Sequence, residues 1–108
     1  MNNKAVFLDR DGTINVEKNY LYKREEFEFL PGALDGMRML CESGFQLIVI
    51  TNQSGIARGL YTETDFIKLT EYIKDRCIEN GVYLTDTFYC PHYPYSTISQ
   101  YRKQYNCR

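Results

Sequence analysis

The sequence predicts an open α/β sheet in which parallel strands alternate with helices. Two short apolar runs, at residues 5–8 and 45–51, have the length and the β-branched content of buried interior strands. Two segments with the apolar spacing of helices follow these runs, and residues 82–90 form a third candidate strand. The resulting order, β-α-β-α-β, is typical of a parallel sheet with right-handed crossovers.

The first helix is predicted within "PGALDGMRMLCESG", between the first two strands. Pro31 stands near its start and Gly44 follows its end, as is usual for helix boundaries. Its apolar residues are spaced to line one face: Ala33, Met37, Leu40 and Cys41. This segment is therefore predicted to be the crossover helix that joins the two strands.

The second helix is predicted after the second strand. Thr62 is a plausible N-cap, and Gly81 provides a left-handed stop. Apolar residues recur at helical intervals between them: Phe66, Leu69, Ile73 and Cys77. The cysteines on the two apolar faces are predicted to be core residues. With no repeat, linker or low-complexity segment, residues 1–108 are expected to form one Rossmann-like domain.

Charge and composition narrow the classes of partner. The chain has 108 residues and a formal net charge of −1, without a block of lysine and arginine. This gives no electrostatic reason to expect nucleic acid or an anionic membrane, so a small-molecule partner is expected. No apolar stretch has the length of a membrane span, and the start lacks a secretory pattern. A cytoplasmic protein is the expectation.

Two acids, Asp9 and Asp11, stand in "FLDRDGT" at the end of the first strand. Residues i and i+2 of an extended segment point to the same side, so both carboxylates can converge on one ligand. Such a pair is tolerable if a divalent cation lies between them or if one of them carries a proton. Gly12 lets the backbone turn closely around an oxyanion. This motif therefore predicts a site that binds a divalent metal ion together with a phosphate group.

The second strand ends in "TNQSG", at the same predicted edge of the sheet. Thr51 and Asn52 can donate to phosphate oxygens, and the amides through Ser54 and Gly55 can form an anion-binding concavity. The alternative is that Asp9 opens an Asp-Gly turn and that the second segment merely closes a strand. A P-loop is not expected, because no glycine-rich run ends in Gly-Lys-Ser or Gly-Lys-Thr.

Taken together, "FLDRDGTIN", "VITNQSGIARG", "CPHYP" and the spacer "FEFLPGALDGMRML" resemble the haloacid dehalogenase (HAD) superfamily. Within it, the chain is most similar to the heptose bisphosphate phosphatases and the related histidinol-phosphate phosphatases. The resemblance implies a HAD-like core and a Mg²⁺-dependent phosphomonoesterase. The implied substrate is a phosphorylated sugar, D-glycero-D-manno-heptose 1,7-bisphosphate. Histidinol phosphate or another sugar phosphate remains open.

The resemblance also implies roles for particular residues. Asp9 would be the nucleophile that becomes a phosphoaspartate, and Asp11 the general acid and then base. Both acids are expected at the Mg²⁺ ion, and Thr51 is expected to hydrogen-bond the transferring phosphoryl group. Arg10 is expected to point away from the two acids, and Tyr20 could equally be a packed surface aromatic. The residues assigned to substrate binding are Arg10, Glu17, Lys18, Asn19, Tyr20, Asn52, Gln53, Ser54 and Arg108.

A structural Zn²⁺ site is a further expectation. Cys90 and His92 in "CPH" could face one ion, and Cys107 lies far enough along the chain to close a loop around it. Relatives carry a Cys-x-Cys pair at that end, whereas Tyr105 occupies the first of those positions here. The alternative is a hydrogen-bonded loop histidine and a buried thiol.

The sequence given stops at Arg108, where relatives continue with a lysine and later an acidic pair that complete the site. The strands they supply would cover the sheet edge beside residues 5–9. We expect a fragment of a longer protein, rather than a natural truncation or a dimer paired across that edge. As given, the chain is expected to be weak or inactive, and a non-catalytic module that binds metal or phosphate is the alternative function.

Overall fold

The computed structural model describes residues 4–91, which form a three-stranded parallel sheet flanked by helices. The strands are β1 (Ala5–Leu8), β2 (Gln46–Asn52) and β3 (Leu84–Cys90). The helices are α1 (Ala33–Glu42), the short α2 (Ser54–Ala57) and α3 (Glu63–Glu79), and a 3-10 turn spans Arg24–Glu26. The predicted α/β class and element order are confirmed, whereas α2 and the 3-10 turn were not predicted. None of the helices in this part of the chain is long and apolar enough to cross a membrane.

The strand register brings the carboxyl ends of the strands to one edge of the sheet. The strands lie in the order β1-β2-β3, with Leu8 beside Val49 and Asn52 beside Cys90. Because β2 continues for three residues beyond the partner of Leu8, the chain that leaves β1 passes alongside the end of β2. Ligands of open α/β sheets bind at this edge.

Within the described residues, helices pack against only one face of the sheet. The order of the strands never reverses, so both right-handed crossovers place their helices on the same side. Leu47 and Val49 of β2 form a core there with residues from both long helices. On the opposite face, Phe7 is 63% exposed and Phe88 is 54% exposed.

Within the described residues, the prediction of an interior strand is confirmed for β2, and β1 forms the uncovered edge that was expected beside residues 5–9. In residues 4–91, β1 pairs only with β2 and alternates between exposed and half-buried residues. A short apolar run indicates that a strand contacts a core, but it does not specify whether the strand lies at the centre or at the edge of the sheet.

The residues between β1 and α1 form an ordered segment that packs against the core. Ile14 and Leu21 are buried in the main core. Asn15 forms an antiparallel bridge with Phe29, and the Val16 amide donates to the Glu28 carbonyl at 2.8 Å. This segment therefore folds back on itself and covers one end of the core beside the cleft described below.

Helix α3 begins as its sequence predicts. Thr62 Oγ1 accepts from the Asp65 amide, and Asp65 Oδ2 accepts from the Thr62 amide, each at 3.0 Å. This reciprocal pair is a capping box, which satisfies two amides at the start of the helix. The predicted apolar face is confirmed, with four buried residues: Phe66, Leu69, Ile73 and Cys77.

We expect Thr62→Ala to lower the free energy of unfolding by about 1 kcal/mol, because the Asp65 amide loses its acceptor. Urea unfolding followed by circular dichroism measures this change. Thr64→Ala is the matched control, since Thr64 is exposed in the same first turn and has no capping role. Equal stability of the two variants would contradict a stabilising capping box.

Candidate active site

A polar cleft of about 280 Å³ lies at the carboxyl edge of the sheet, between the turn after β1 and the end of β2. Most of the predicted site residues line it: Arg10, Asp11, Glu17, Asn19, Tyr20, Asn52, Gln53 and Ser54. Leu21, Gly55 and Tyr61 complete the lining. The structure therefore brings together the two motifs that the sequence placed at one edge.

The Asp11 carboxylate is held by three neighbouring side chains. Arg10 Nη2 lies 3.1 Å from both carboxylate oxygens, and its Nε lies 3.3 Å from Oδ1. Asn15 Nδ2 donates to Oδ1 at 3.0 Å, and Gln53 Nε2 lies 3.4 Å from Oδ2. Asn15 was not predicted as a site residue, and its spacing four residues after Asp11 is the signal that could have indicated it. The orientation of this carboxylate is fixed by the protein.

The expectation that Arg10 points away from the acids is wrong. Its side chain is only 3% exposed, and it folds back onto Asp11 as a counter-ion. The guanidinium also lies 5.7 Å from the ring centroid of Phe66 and 3.5 Å from the Leu21 carbonyl. The cause is a tight turn at Arg10, whose carbonyl accepts from the Ile14 amide at 2.8 Å. The residue between the two acids thus compensates their repulsion.

Asp9 lies directly after β1, and its side chain is exposed. It does not line the cleft that contains Asp11. Burial alternates from Ala5 to Arg10, which places Asp9 on the same side as exposed Phe7. The rule that residues i and i+2 point to the same side does not hold between Asp9 and Asp11, because the chain turns at Arg10. The two acids therefore occupy different surroundings, and the nucleophilic role of Asp9 stays a prediction.

Thr51 is 3% exposed and directly precedes Asn52 and Gln53, which line the cleft. Its Oγ1 accepts from Gln53 Nε2 at 2.8 Å, and the same nitrogen contacts Asp11. Gln53 itself is 2% exposed, and its backbone amide donates to the Cys90 carbonyl at 2.8 Å. The buried side-chain amide of Gln53 therefore connects Thr51, at the end of β2, with Asp11, which follows β1.

Tyr61 is a second contributor to this site, besides Asn15, that the sequence analysis missed. Its hydroxyl donates to Gln53 Oε1, and its ring stacks on Tyr22 with a centroid distance of 5.3 Å. Burial raises the pKa of Tyr61 to about 12, with the nearby Arg10 charge acting in the opposite direction. The phenol is therefore neutral and able to donate throughout the ordinary pH range. No local motif marks this contact, because it depends on how the segment after α2 folds back.

The segment before the 3-10 turn forms the outer wall of the cleft. Tyr20 adopts a left-handed backbone conformation, with φ of 62°, and Arg58 lies 5.7 Å from its ring centroid. Lys18, in contrast, donates to the Glu26 carbonyl at 2.7 Å and pairs with Glu28 at 3.3 Å. These contacts direct Lys18 away from the cleft, so its position does not support the predicted substrate contact. Arg108 lies outside the described residues.

The acids fit a hard cation that takes few protein ligands. Mg²⁺ is commonly held by one or two carboxylates together with water and substrate phosphate. Asp9 is exposed directly after β1, and Asp11 faces the cleft, where it accepts hydrogen bonds from three side chains. Within residues 4–91, no cluster of three or more His, Cys, Asp or Glu side chains could hold a metal. The assignment of Asp9 and Asp11 to a Mg²⁺ ion therefore stays a prediction.

The expected Zn²⁺ site falls largely outside the described residues. Cys90 is buried at the end of β3, and His92 and Cys107 lie beyond the part of the chain that the structure covers. Zinc therefore remains a prediction without structural support. The two helix cysteines fulfil their predicted role, since Cys77 is fully buried and the half-buried Cys41 packs against the same core.

Comparison of the sequence with known proteins identifies phosphatases. No protein-family model matches the chain. It is 47% identical over 104 residues to the D-glycero-beta-D-manno-heptose-1,7-bisphosphate 7-phosphatase of Escherichia coli strain K12. That match covers 96% of this chain and 54% of the relative. The chain thus spans about half the length of the curated relatives that it matches.

Comparison of the structure gives the same answer. A D,D-heptose 1,7-bisphosphate phosphatase from B. bronchiseptica, complexed with magnesium and phosphate, matches with a TM-score of 0.79 and 30% identity. A putative HAD-like phosphatase from Mesorhizobium loti matches with a TM-score of 0.87 and 30% identity. The matches cover 87% and 95% of this chain, and 53% and 49% of those chains, respectively. The predicted HAD-like fold and the resemblance to heptose bisphosphate phosphatases are confirmed.

We expect Gly55→Ala to displace Tyr61 and to destabilise the protein by about 1–3 kcal/mol. A Cβ at Gly55 would lie 2.3 Å from Tyr61 Cε1, a distance at which the ring must move. Urea unfolding and the near-ultraviolet tyrosine dichroism measure the two effects. Gly36→Ala is the control, since a Cβ there meets nothing within 4 Å and alanine favours the α1 helix. Unchanged stability and dichroism in Gly55→Ala would contradict the packing described.

We expect the stability to depend on alkaline pH through Tyr61. An unfolded tyrosine ionises near pH 10, whereas folded Tyr61 does so at about 12. Its contribution is therefore complete below pH 10 and is lost as the pH rises through about 12, at roughly 1.4 kcal/mol per pH unit. Urea unfolding of wild type and Tyr61→Phe at several alkaline pH values isolates this slope. Parallel stability curves for the two proteins would refute the assignment.

Proposed function

We propose that this chain, which has the fold of HAD-like phosphatases, performs Mg²⁺-dependent hydrolysis of a phosphate monoester. The proposed substrate is D-glycero-D-manno-heptose 1,7-bisphosphate, from which the 7-phosphate is removed. The observation that carries the proposal is the fixed Asp11 carboxylate in a polar cleft at the carboxyl edge of a parallel sheet. The similarity to named heptose bisphosphate phosphatases supports the substrate class.

Asp9 is the proposed nucleophile. Its carboxylate oxygen attacks phosphorus, and the bond between phosphorus and the ester oxygen breaks, which leaves a phosphoaspartate. The exposed position of Asp9 directly after β1 leaves it accessible to a substrate, while Asp11 lies within the turn that follows. Water then attacks the phosphorus of this intermediate, which releases inorganic phosphate and restores the carboxylate.

Asp11 is the proposed general acid and base. In the first step it would give a proton to the departing sugar oxygen, and in the second it would take one from the attacking water. Its contacts with Asn15 and Gln53 support this role, because proton transfer requires a fixed geometry. Arg10 compensates the charge of the ionised form, so the proton transfers occur beside a buried cation.

Thr51 and Asn52 are the proposed donors to the phosphoryl oxygens. Asn52 is exposed and lines the cleft, and Thr51 lies next to it on β2. Donors fixed in advance stabilise the charge that develops on those oxygens. Asp9, assisted by an oxygen of Asp11, would hold Mg²⁺, which masks the negative charge of the incoming ester.

The remaining cleft residues are the proposed contacts of the sugar. Glu17, Asn19 and Ser54 offer acceptors and donors that match sugar hydroxyl groups. Tyr20, at the rim, offers an aromatic face beside Arg58.

Trapping with beryllofluoride tests the nucleophile without requiring turnover. With Mg²⁺ present, we expect a saturable adduct on Asp9, seen by fluorine NMR, because beryllofluoride occupies the position of a phosphoryl group on a carboxylate. The adduct should be absent in Asp9→Asn and after chelation of Mg²⁺. Asp35→Asn is the matched control, since Asp35 is exposed on α1 and pairs with Arg38. Saturable binding of inorganic phosphate without an adduct would favour a non-catalytic binding module.

Phosphate release from the sugar bisphosphate gives the second readout of the same test. Release by Asp9→Asn should fall to background, and Asp11→Asn should lose about 10²–10⁴-fold in rate. Equal release by wild type and Asp9→Asn would remove Asp9 from the mechanism.

A further inference from the structure

The Gln53 side chain is the centre of a directional hydrogen-bond chain. Its amide group has one end that accepts and one end that donates. The donating end, Nε2, lies 2.8 Å from Thr51 Oγ1 and 3.4 Å from Asp11 Oδ2. The accepting end, Oε1, receives the hydroxyl of Tyr61. Because Gln53 is 2% exposed, water has little access to replace either contact.

The Tyr61 hydroxyl determines which end of the amide faces the site. Its ring is fixed by the Tyr22 stack, with an interplanar angle of 15°, and by the close approach to Gly55. As a neutral phenol it donates its one proton to Gln53 Oε1, and this hydrogen bond favours the orientation in which the amide oxygen faces Tyr61. A reversed amide would place a nitrogen there and would direct Oε1 at the Asp11 carboxylate, where two acceptors would meet.

The orientation of Gln53 then determines what the Thr51 hydroxyl can do. A hydroxyl carries one proton, and Thr51 Oγ1 already accepts from Gln53. Within residues 4–91, no acceptor takes the Thr51 proton. The proton is therefore free to be donated to an anion, and the chain runs from Tyr61 through Gln53 to Thr51.

We propose that Tyr61 is a positioning residue whose hydroxyl orients the Gln53 amide, so that the Thr51 hydroxyl donates to a phosphoryl oxygen. The same orientation keeps Gln53 Nε2 as the third side-chain donor to the Asp11 carboxylate, beside Arg10 and Asn15. This inference rests on the proposed function, because it gives the Thr51 proton a phosphate as its acceptor. Tyr61 touches neither the substrate nor the reacting atoms. It acts through Gln53, from the segment that joins α2 to α3.

Tyr61→Phe tests the proposal, since it removes the hydroxyl and keeps the ring. Turnover of the sugar bisphosphate should fall about tenfold in kcat with little change in KM, a smaller loss than the 10²–10³-fold typical of deleting a direct donor. Tyr83→Phe is the matched control, because Tyr83 is 62% exposed and lies away from the cleft. Gln53→Met breaks the same chain at its centre and should give a similar loss. Adding Tyr61→Phe to Gln53→Met should then have no further effect.

A second readout follows the amide itself and does not depend on activity. In wild type, the two Gln53 side-chain amide protons should give separate, slowly exchanging NMR signals with contacts to Thr51, assigned by their loss in Gln53→Met. In Tyr61→Phe the chemical shifts of these two protons should become more similar and their exchange with solvent should be faster. In Tyr83→Phe both properties should be unchanged.

The outcomes separate this proposal from the proposed function. Absence of a beryllofluoride adduct in wild type refutes the function, whereas the amide signals report on positioning in either case. Unchanged amide signals in Tyr61→Phe overturn the positioning role. So does a wild-type kcat in that variant, or a loss that adds fully to that of Gln53→Met.

Discussion

The buried pair of Arg10 and Asp11 is the contact on which the rest of the site depends. The Arg10 carbonyl begins the turn after β1, its guanidinium holds Asp11, and the same group packs against Phe66 of α3. One residue therefore joins the strand, the turn and the helix. Removing Asp11 would leave the Arg10 charge, which is only 3% exposed, without its counter-ion, and such a change is destabilising. The geometry of the cleft and the stability of the fold are for this reason linked.

The same pair explains how two acids can stand one residue apart. Arg10 compensates Asp11 on the covered side of the sheet, while Asp9 remains exposed on the other side of the turn. Carboxylates in such different surroundings are suited to different tasks: Asp11 is constrained by donors, and Asp9 is accessible. The family resemblance implies different roles for the two acids, a nucleophile and a general acid, although it expects both at one Mg²⁺ ion. The different surroundings of the two carboxylates agree with such a division of roles, which stays a prediction.

Much of the fold was predictable because it follows from local periodicity, as in the face of α3 and its Thr62 cap. The site was predictable to the extent that it follows from topology, since parallel strands place their ends at one edge. Arg10 was misplaced because a rule for extended chains was applied across a turn. Lys18 was misplaced because pairing within the segment before α1 turns it toward Glu28. Tyr61 was missed because its contact joins residues whose proximity only the folded chain creates.

The position of Tyr61 also explains how a site formed by turns can be rigid. Tyr61 immediately precedes Thr62, the residue that caps α3, so the start of a long helix fixes the backbone from which the phenol extends. Its ring stacks on Tyr22, which ties the helix start to the segment that forms the outer wall of the cleft. The hydrogen bond from Tyr61 to Gln53 then connects this rigid segment to the end of β2. Precise placement of donors requires support from regular elements, and here a helix start and a strand end provide that support on both sides of one buried amide.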